Sequence, residues 1–369
     1  MNRRPSKSRS SYDAFSSSRT GGFRAASPDA SFFEEKKRPR PLRRILLALL
    51  AALALTLVVN TAVNQFVFVR RVSVPVKGLA PSFEGYTFLQ ISDLKGALYG
   101  GNQGLLRMAL ADEAYDAVLL TGDMISPLGN AVPFYSLLSV LRELAPQTPV
   151  YFIAGDTDPV PLSMTYAPSG SPFAPWVLGA QQRGAQHLTA PVPIEREGQT
   201  LWLTPGSLLH LDVDTMQGQY EARYLSAAAS GDENAIELAA HALKQLEDIR
   251  AARRATKEED IVISVTHAPP TDDDLKTYAG AVDLVLCGHT LGGLIRLPLA
   301  GALFIPSQTL PRWGLLPGKA AGSGLLQDTT PRVYISPGLG KQDERYPPFF
   351  FRLFNPPSVS LITLTQSTM

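Results

Sequence analysis

The 369-residue chain contains a single cysteine, Cys287, so it cannot form an intramolecular disulfide bond. Cys287 ends an apolar run, where a thiol is typically a small buried hydrophobic group rather than a redox centre. The chain also has no excess charge of either sign, because 34 Lys and Arg oppose 33 Asp and Glu. Its overall charge therefore points to no particular partner, and no nucleic-acid partner is expected. There is no internal repeat.

The charges that are present are unevenly distributed. Residues 1–44 are rich in Arg, Lys and Ser and contain few large apolar side chains. Such a segment cannot bury enough surface to offset its ordering entropy, so it is predicted to be disordered. A basic tail can bind anionic lipid or nucleic acid, but the favoured interpretation is a solvated cytoplasmic tail beside a membrane anchor.

An uncharged run follows the tail and continues to Val69, before Arg70 and Arg71. About 20 apolar residues span a bilayer, so a transmembrane helix is predicted over residues 45–66. The alternative is a cleaved signal peptide, but its basic region is normally short, and no clear cleavage site follows the run. More Lys and Arg precede the run than follow it, so the C-terminal domain is predicted to be extracytoplasmic.

Five apolar segments of the remaining chain end on Asp or His. They lead to Asp93, to Asp123, to the pair Asp156 and Asp158, to His267 and to His289. Short apolar runs bounded by turn residues are typical of buried strands, and helical patterns lie between several of them. This alternation favours parallel βαβ units, whose strand ends meet at one edge of a sheet. A functional site is therefore predicted at that edge.

The predicted fold class is α/β, with two sheets packed face to face and flanked by helices, and with one transmembrane helix before them. Residues 67–84 are interpreted as a juncture and residues 85–366 as the domain. A long helix is predicted over residues 233–254, where apolar side chains recur at helical spacing. The acidic run at residues 272–274 is interpreted as a helix start, since carboxylates favour helix N-termini.

The strand ends resemble those of the calcineurin-like metallophosphoesterase family, in particular its membrane-anchored bacterial branch. The family order is Asp-x-His, Gly-Asp, Gly-Asn-His-Asp/Glu, His and Gly-His-x-His. The matching segments of this chain are Asp93-Leu94-Lys95, Gly122-Asp123, Gly155-Asp156-Thr157-Asp158, His267 and Gly288-His289-Thr290-Leu291. The resemblance covers roughly residues 73–365, and it implies the two-sheet metallophosphoesterase fold.

The resemblance also implies a site for two divalent metal ions that share one carboxylate and act together on a phosphate group. The positions of the first ion's ligands are Asp93, Lys95, Asp123 and Leu291. A protonated lysine has no lone pair and leucine has no donor atom, so half of this ligand set is missing. The positions of the second ion's ligands are Asp123, Asp156, His267 and His289, all of which can bind a metal.

Two further departures concern catalysis. Thr157 stands where the family has a catalytic His, and a threonine cannot donate a proton to a leaving alkoxide at neutral pH. Asp158, which orients that His in the family, is left without that partner. We expect the ammonium group of Lys95 to take the place of the first ion and to pair with Asp93 and Asp123. Lys95 and Asp158 are therefore the candidate catalytic residues.

Each candidate also has a purely structural interpretation. The two buried-strand carboxylates, Asp93 and Asp123, could cap loops, and the two histidines could be hydrogen-bonded core residues. Asp156 could be a turn residue and Lys95 a solvated surface residue. The remaining histidines match no motif and are interpreted as surface or packing residues; they are His187, His210 and His241.

Two functions remain open at this stage. The first is hydrolysis of a phosphate ester by a membrane-anchored protein that holds at most one ion of Mn, Fe or Zn. The second is a catalytically inactive pseudo-phosphoesterase, a pseudoenzyme that acts as an extracytoplasmic binding domain. A plain structural role at the cell surface is a third alternative. The expected partners are membrane lipid, through the N-terminal anchor, and a phosphate-containing ligand.

Overall fold

The computed structural model describes residues 41–126, 128–162, 172–297, 301–303, 305, 315, 322–326, 329–340 and 352–367. The predicted tail over residues 1–44 lies outside these ranges except for its last four residues, which are helical. The chain divides into two compact units, residues 1–53 and residues 54–369. In the first unit, the described side chains belong to a helix and are exposed.

Seven α-helices lie in the described part of the chain. They are α1 (Pro41–Val63), α2 (Gly104–Leu110), α3 (Val132–Leu144), α4 (Pro175–Gln181), α5 (Val213–Ser230), α6 (Glu233–Ala255) and α7 (Asp272–Tyr278). The first of these, α1, is long and apolar enough to span a membrane. The helix predicted over residues 233–254 is confirmed as α6, and the acidic run begins α7, where Thr271 and Asp274 form a capping box.

The strands alternate with these helices. They are β1 (Phe68–Val76), β2 (Thr87–Ile91), β3 (Ala117–Thr121), β4 (Val150–Ile153), β5 (Ala185–His187), β6 (Val192–Arg196), β7 (Gln199–Pro205), β8 (Ile261–Val265), β9 (Leu284–Cys287), β10 (Arg296–Leu297), β11 (Gly301–Ala302), β12 (Gly324–Leu326), β13 (Arg332–Ile335) and β14 (Ser358–Gln366).

Two six-stranded sheets form the centre of the second unit. Their strand orders are β1-β14-β2-β3-β4-β5 and β12-β13-β9-β8-β7-β6. Strands β2 to β5 run parallel to one another, and so do β7, β8, β9 and β13. The carboxyl ends of the parallel strands within each sheet therefore lie at one edge. The sequence predicts a site at one edge of a single sheet, whereas the strands that lead to the site residues belong to both sheets: β2, β3 and β4 to the first, and β8 and β9 to the second.

Apolar side chains fill the space between the two sheets and the space between each sheet and its helices. Phe88 and Leu119 of the first sheet share a core with Ile263 and Leu286 of the second. A second core joins the opposite face of the first sheet to α3, for example through Phe134. Both faces of each sheet are therefore covered, as the apolar strands require. The predicted α/β fold with two sheets and flanking helices is confirmed.

The structure differs from the sequence-based interpretation in two places. Residues 67–84 are not merely a juncture, because β1 lies within them and pairs in parallel with β14 at the edge of the first sheet. Helix α5 was not predicted, since its sequence has no strong apolar stripe. It is instead defined by its ends, where the Asp212 carboxylate caps the first turn and Gly231 ends the helix in a left-handed conformation.

Candidate metal centre

The loops that follow β2, β3, β4, β8 and β9 bring the predicted site residues together. Three of these residues, Asp93, Asp123 and His289, adopt left-handed backbone conformations with φ angles of 54°, 56° and 70°. Residues other than glycine rarely adopt such conformations, and those that do cluster at functional sites. The neighbouring Lys95 also has a positive φ, of 48°.

Asp123 lies at the centre of this group and is fully buried. One carboxylate oxygen, Oδ1, accepts a hydrogen bond of 2.8 Å from the backbone N–H of Thr157. The other, Oδ2, lies 2.8 Å from Nζ of Lys95 and 3.2 Å from Nε2 of His267. Burial alone would raise the pKa of Asp123, but the hydrogen bond from His267 and the charges of His267 and Lys95 lower it far below its usual range.

His267 follows β8 and is held by its other ring nitrogen, because Nδ1 lies 2.9 Å from the carbonyl oxygen of Thr121. That contact leaves Nε2 directed at Asp123. Burial alone would lower the pKa of His267, but the hydrogen bond to Asp123 and the negative charges of Asp93 and Asp123 raise it to about 9. The surroundings of this ring therefore favour a positive charge at the position of Nε2.

Asp156 and His289 complete one side of the centre. Oδ2 of Asp156 lies 3.1 Å from Nδ1 of His289 and 4.0 Å from Nε2 of His267. The two imidazole rings are nearly perpendicular, and Nδ1 of His289 lies 3.3 Å from Nε2 of His267. The hydrogen bond from His289 lowers the pKa of Asp156. The Asp156 side chain is 62% exposed, so this side of the centre is open to solvent.

Asp93 lies on the other side and is fully buried. Its Oδ2 accepts a hydrogen bond of 3.0 Å from the backbone N–H of His289. Its Oδ1 is buried and has no hydrogen-bond partner among the described residues. A buried carboxylate oxygen without a partner is costly, and a cation nearby would satisfy it.

These donors fit a divalent cation. Two groups of side chains offer ligand atoms that lie within 4.8 Å of one another: Asp156, His267 and His289 form one group, and Asp93, Asp123 and His267 form the other. Imidazole nitrogen with carboxylate oxygen suits Zn, Fe or Mn. His267 belongs to both groups, and Oδ2 of Asp123 contacts its ring.

Two residues at the position of the family's first ion, Lys95 and Leu291, cannot bind a metal. The Lys95 ammonium pairs with Asp123, and its side chain is only 11% exposed, so the solvated-surface alternative for Lys95 is wrong. At the last histidine position, Leu291 is buried and offers no donor atom. A positive charge from the chain itself therefore lies against the carboxylate that two metal ions share in the family.

Thr157 and Asp158 are held by the backbone around them. Asp158 accepts hydrogen bonds of 2.7 Å and 2.8 Å from the backbone N–H groups of Ile125 and Gly155. Burial raises the pKa of Asp158 to about 6 despite these two hydrogen bonds. In the family this residue orients a histidine. Here Asp158 instead holds the loops after β3 and β4 together through their backbone N–H groups.

Two contributors to the site carried no recognisable signal of their role in the sequence. Gln90 is buried in β2 and donates hydrogen bonds to Oγ1 of Thr121 and the carbonyl oxygen of Cys287, so it joins the two sheets just below the centre. The wholly buried guanidinium group of Arg352 donates to four backbone carbonyls, two of which belong to Gly338 and Gly340 beside Asp93. The sequence offers a buried polar residue inside an apolar strand as a hint for Gln90. For Arg352 it offers the resemblance of residues 352–357 to the membrane-anchored branch, which does not reveal the contacts of the side chain.

The other histidines do not join either group of ligand atoms. His210 is partly exposed and lies 2.8 Å from Asp274. His187 stacks on Phe152, and burial followed by the charge of His241 lowers its pKa to about 4. Their interpretation as surface or packing residues agrees with these contacts.

Gly122 allows the close approach of β3 and β4 beneath His267. Its φ is +88°, and a Cβ atom there would lie 2.7 Å from Nδ1 of His267 and 2.8 Å from Cα of Gly155. We expect Gly122→Ala to lower the free energy of unfolding by about 3 kcal/mol, from backbone strain and overpacking together. Chemical denaturation measures this change.

Gly129 provides the matched control for this substitution. Its φ is +81°, but a Cβ atom there would meet nothing within 4 Å. Gly129→Ala should therefore show only the backbone strain, about 1–2 kcal/mol. Equal losses of stability in the two variants would contradict the close packing described at Gly122.

Comparison with known proteins gives three findings. A family model described as calcineurin-like phosphoesterase matches residues 86–293. The uncharacterized metallophosphoesterase YkuE of Bacillus subtilis (strain 168) is 32% identical over 105 residues, which are 28% of this chain and 31% of that protein. The match therefore spans about a third of its relative. The crystal structure of phosphopantetheinyl hydrolase (PptH) from Mycobacterium tuberculosis covers 56% of this chain and is itself 83% covered, with 14% identity and a TM-score of 0.31.

Proposed function

Because the chain belongs to the calcineurin-like phosphoesterase family, we propose that it hydrolyses a phosphate ester with a single divalent cation. The cation's ligands are Asp123, Asp156, His267 and His289. The observation that carries the proposal is the placement of Lys95 Nζ 2.8 Å from the Asp123 carboxylate, where the family holds another ion. One positive charge is thus supplied by the chain beside Asp123. Asp156, His267 and His289 offer ligand atoms within 4.8 Å of one another, and Asp123 Oδ2 lies 3.2 Å from Nε2 of His267.

Residues of the chain have distinct roles at such a site. A bound cation would act as a Lewis acid on a phosphoryl oxygen. Lys95 provides a second positive charge about one hydrogen-bond length from Asp123, which favours an anionic phosphate at this edge. Oδ1 of Asp123 is fixed by the Thr157 backbone, and His267 by the Thr121 carbonyl, so both are held in place before substrate arrives.

The test uses the full chain in detergent, loaded with Mn²⁺. We expect about one ion per chain and release of p-nitrophenol from p-nitrophenyl phosphate or its diester, with activity removed by chelation and restored by Mn²⁺. A chain that holds one ion but releases no product with either substrate would contradict hydrolysis of simple phosphate esters.

The second candidate function is a pseudo-phosphoesterase that binds a phosphate ligand without turnover. It is favoured by Thr157, which replaces the family's catalytic His, and by the backbone contacts that occupy Asp158. This function predicts saturable binding of inorganic phosphate, measured by calorimetry, together with no product from either substrate. Hydrolysis lost in His267→Ala would contradict it.

We also propose that α1 remains as an uncleaved membrane anchor, with the N-terminus cytoplasmic and the domain extracytoplasmic. The last turn of the helix supports this, because the Asn60 side chain is buried and donates to the carbonyl oxygen of Arg352. A cleavage after the helix would remove this contact. We expect the intact mass of the membrane-extracted chain to include residues 45–66; a mature start beyond residue 66 would contradict the anchor.

A further inference from the structure

The edge of the first sheet that carries the candidate metal centre is also the edge where the chain enters the sheet. Phe68 begins β1 and pairs in register with Ser358, the first residue of β14. Strand β14 runs antiparallel to β2, with Ser360 opposite Gln90, so β14 begins where β2 ends. Asp93 follows the end of β2 by two residues. The last residue of α1, Val63, is thus only five residues in sequence from this edge.

The end of α1 is fixed to this edge by side chains. The amide groups of Asn60 and Asn64 both donate to the carbonyl oxygen of Arg352, over 2.7 Å and 2.8 Å. Oδ1 of Asn60 accepts from the backbone N–H of Phe354 at 3.2 Å. We call these three hydrogen bonds the helix clamp. Two amides in an otherwise apolar run would be costly in a membrane interior, and here they have partners at its end.

The helix clamp is linked to the metal centre through the buried guanidinium group of Arg352. This group donates to the carbonyl oxygens of Gly338 and Gly340 over 2.9 Å and 2.8 Å. The backbone N–H of Gly340 in turn donates to the carbonyl oxygen of Asp93. Arg352 therefore contacts the end of the apolar helix through its backbone carbonyl and, through its guanidinium group, the glycines that contact the loop carrying Asp93.

Exposed aromatic side chains and two arginines lie on the elements around the helix clamp. Phe66, Phe68 and Phe354 are about half exposed, although phenylalanine is usually buried. Arg70 on β1 and Arg296 on β10 have no carboxylate partner among the described residues. Burial lowers the pKa of Arg296 and the charge of Arg70 lowers it further, so the two guanidinium groups are within electrostatic reach of each other. Arg296 donates to the carbonyl oxygen of Gly292 and the hydroxyl of Ser323, which are neutral and leave its charge uncompensated. Aromatic side chains near such cations are typical of surfaces that meet anionic headgroups.

We propose that this sheet edge lies against the surface of a phospholipid bilayer, and that the phosphate group of a membrane lipid is the substrate of the metal centre. The first part follows from the short connection and the helix clamp, which keep the edge next to the end of the apolar helix. The second part rests on the proposed phosphate-ester hydrolysis. A tether that holds enzyme and substrate at one surface raises their effective concentration without any new contact.

The first experiment tests the placement of the edge without turnover. Leu98 lies in the loop after β2 and is exposed, whereas Lys77 follows the far end of β1 and is also exposed. The two edges are about 25–30 Å apart, given a rise of about 3.3 Å per residue along β1. The variants Leu98→Cys and Lys77→Cys of the full chain are labelled with a donor fluorophore, since the native Cys287 is buried. Both are reconstituted in phosphatidylcholine and phosphatidylglycerol vesicles that carry an acceptor on the lipid headgroup.

Energy transfer decides this part of the proposal. We expect clearly greater transfer from position 98 than from position 77. Equal transfer, or greater transfer from position 77, overturns the placement of the edge, whether or not the protein hydrolyses any ester.

The second experiment tests the substrate class with the double variant Asn60→Leu/Asn64→Leu. This variant removes the helix clamp and keeps an apolar helix. We expect hydrolysis of phosphatidic acid in vesicles to fall at least about tenfold, because the site is no longer held at the surface. Hydrolysis of p-nitrophenyl phosphate in solution should change less than about twofold, because the ligands of the metal centre are untouched. The matched control is Thr61→Val, since the Thr61 hydroxyl bonds within the helix, to the carbonyl oxygen of Leu57.

The results separate failure of this proposal from failure of the proposed function. If the wild type hydrolyses p-nitrophenyl phosphate but not phosphatidic acid, the lipid substrate is overturned and ester hydrolysis stands. If it hydrolyses neither substrate while position 98 lies at the bilayer, the placement stands and ester hydrolysis is overturned. Equal losses with both substrates in the double variant would show that the helix clamp only supports folding, and would overturn its positioning role.

Discussion

Replacing His267 with alanine should remove metal binding and lower phosphate-ester hydrolysis at least about a hundredfold, since even partners that only orient a ligand are worth 10- to 100-fold. His267 is the histidine shared by both groups of potential ligand atoms, and its Nε2 faces the Asp123 carboxylate at 3.2 Å. Its loss would therefore reduce both groups to two members. Metal content by mass spectrometry and the rate with p-nitrophenyl phosphate measure the two effects.

The control for this variant is His210→Gln. His210 is partly exposed and contacts Asp274 on α7, outside both groups of ligand atoms. We expect the control to keep its metal and its rate within about twofold, as for surface substitutions in general. A His267→Ala variant that keeps one ion and full activity would contradict the assigned ligands.

The second large effect concerns Lys95. We expect Lys95→Met to destabilise the metal-free chain by about 3 kcal/mol, because a buried charge left without its partner costs about 3–5 kcal/mol. The Lys95 side chain is 11% exposed and that of Asp123 is fully buried, so water cannot replace the ammonium group easily. The contact between Asp123 and His267 keeps the expected loss at the lower end of the range. Urea denaturation of the metal-free protein measures it.

An exposed lysine pair gives the matched control. Nζ of Lys276 lies 2.7 Å from Asp273, nearly the distance found at Lys95, but both side chains are at least three-quarters exposed. Lys276→Met should cost less than about 1 kcal/mol, as exposed ion pairs do. Added Mn²⁺ should stabilise Lys95→Met more than the wild type, since a cation can then satisfy both Asp93 and Asp123. If the two methionine variants lose equal stability, Lys95 does not replace an ion.

The sequence was informative about the sheet edge because strands and their ends follow from local patterns. Apolar runs that stop at Asp93, Asp123 and His289 predict where side chains leave a parallel sheet. The structure brings the three residues together from two sheets, since Asp93 and Asp123 follow strands of the first sheet and His289 follows β9 of the second. The substitution at Lys95 could be recognised since lysine cannot serve as a ligand. Its pairing with Asp123 followed from charge balance at a buried edge.

The contacts that depend on distant parts of the chain could not be predicted. Residues 72–76 alternate as a strand does, but the place of β1 in the sheet depends on β14, nearly 300 residues away. The helix clamp likewise joins Asn60 to Arg352, which lie 292 residues apart. Asp158 could be matched to its family position, but its contact with Ile125 depends on the path of the loop after β3. Local patterns carry no information about such pairings.

Metal stoichiometry tests the central claim, that one cation and Lys95 together take the place of two ions. The full chain, purified in detergent and equilibrated with excess Mn²⁺, is freed of unbound metal and measured by mass spectrometry against protein concentration. We expect one ion per chain for the wild type. Two ions per chain would contradict the role of Lys95, and no bound ion would contradict the metal centre itself.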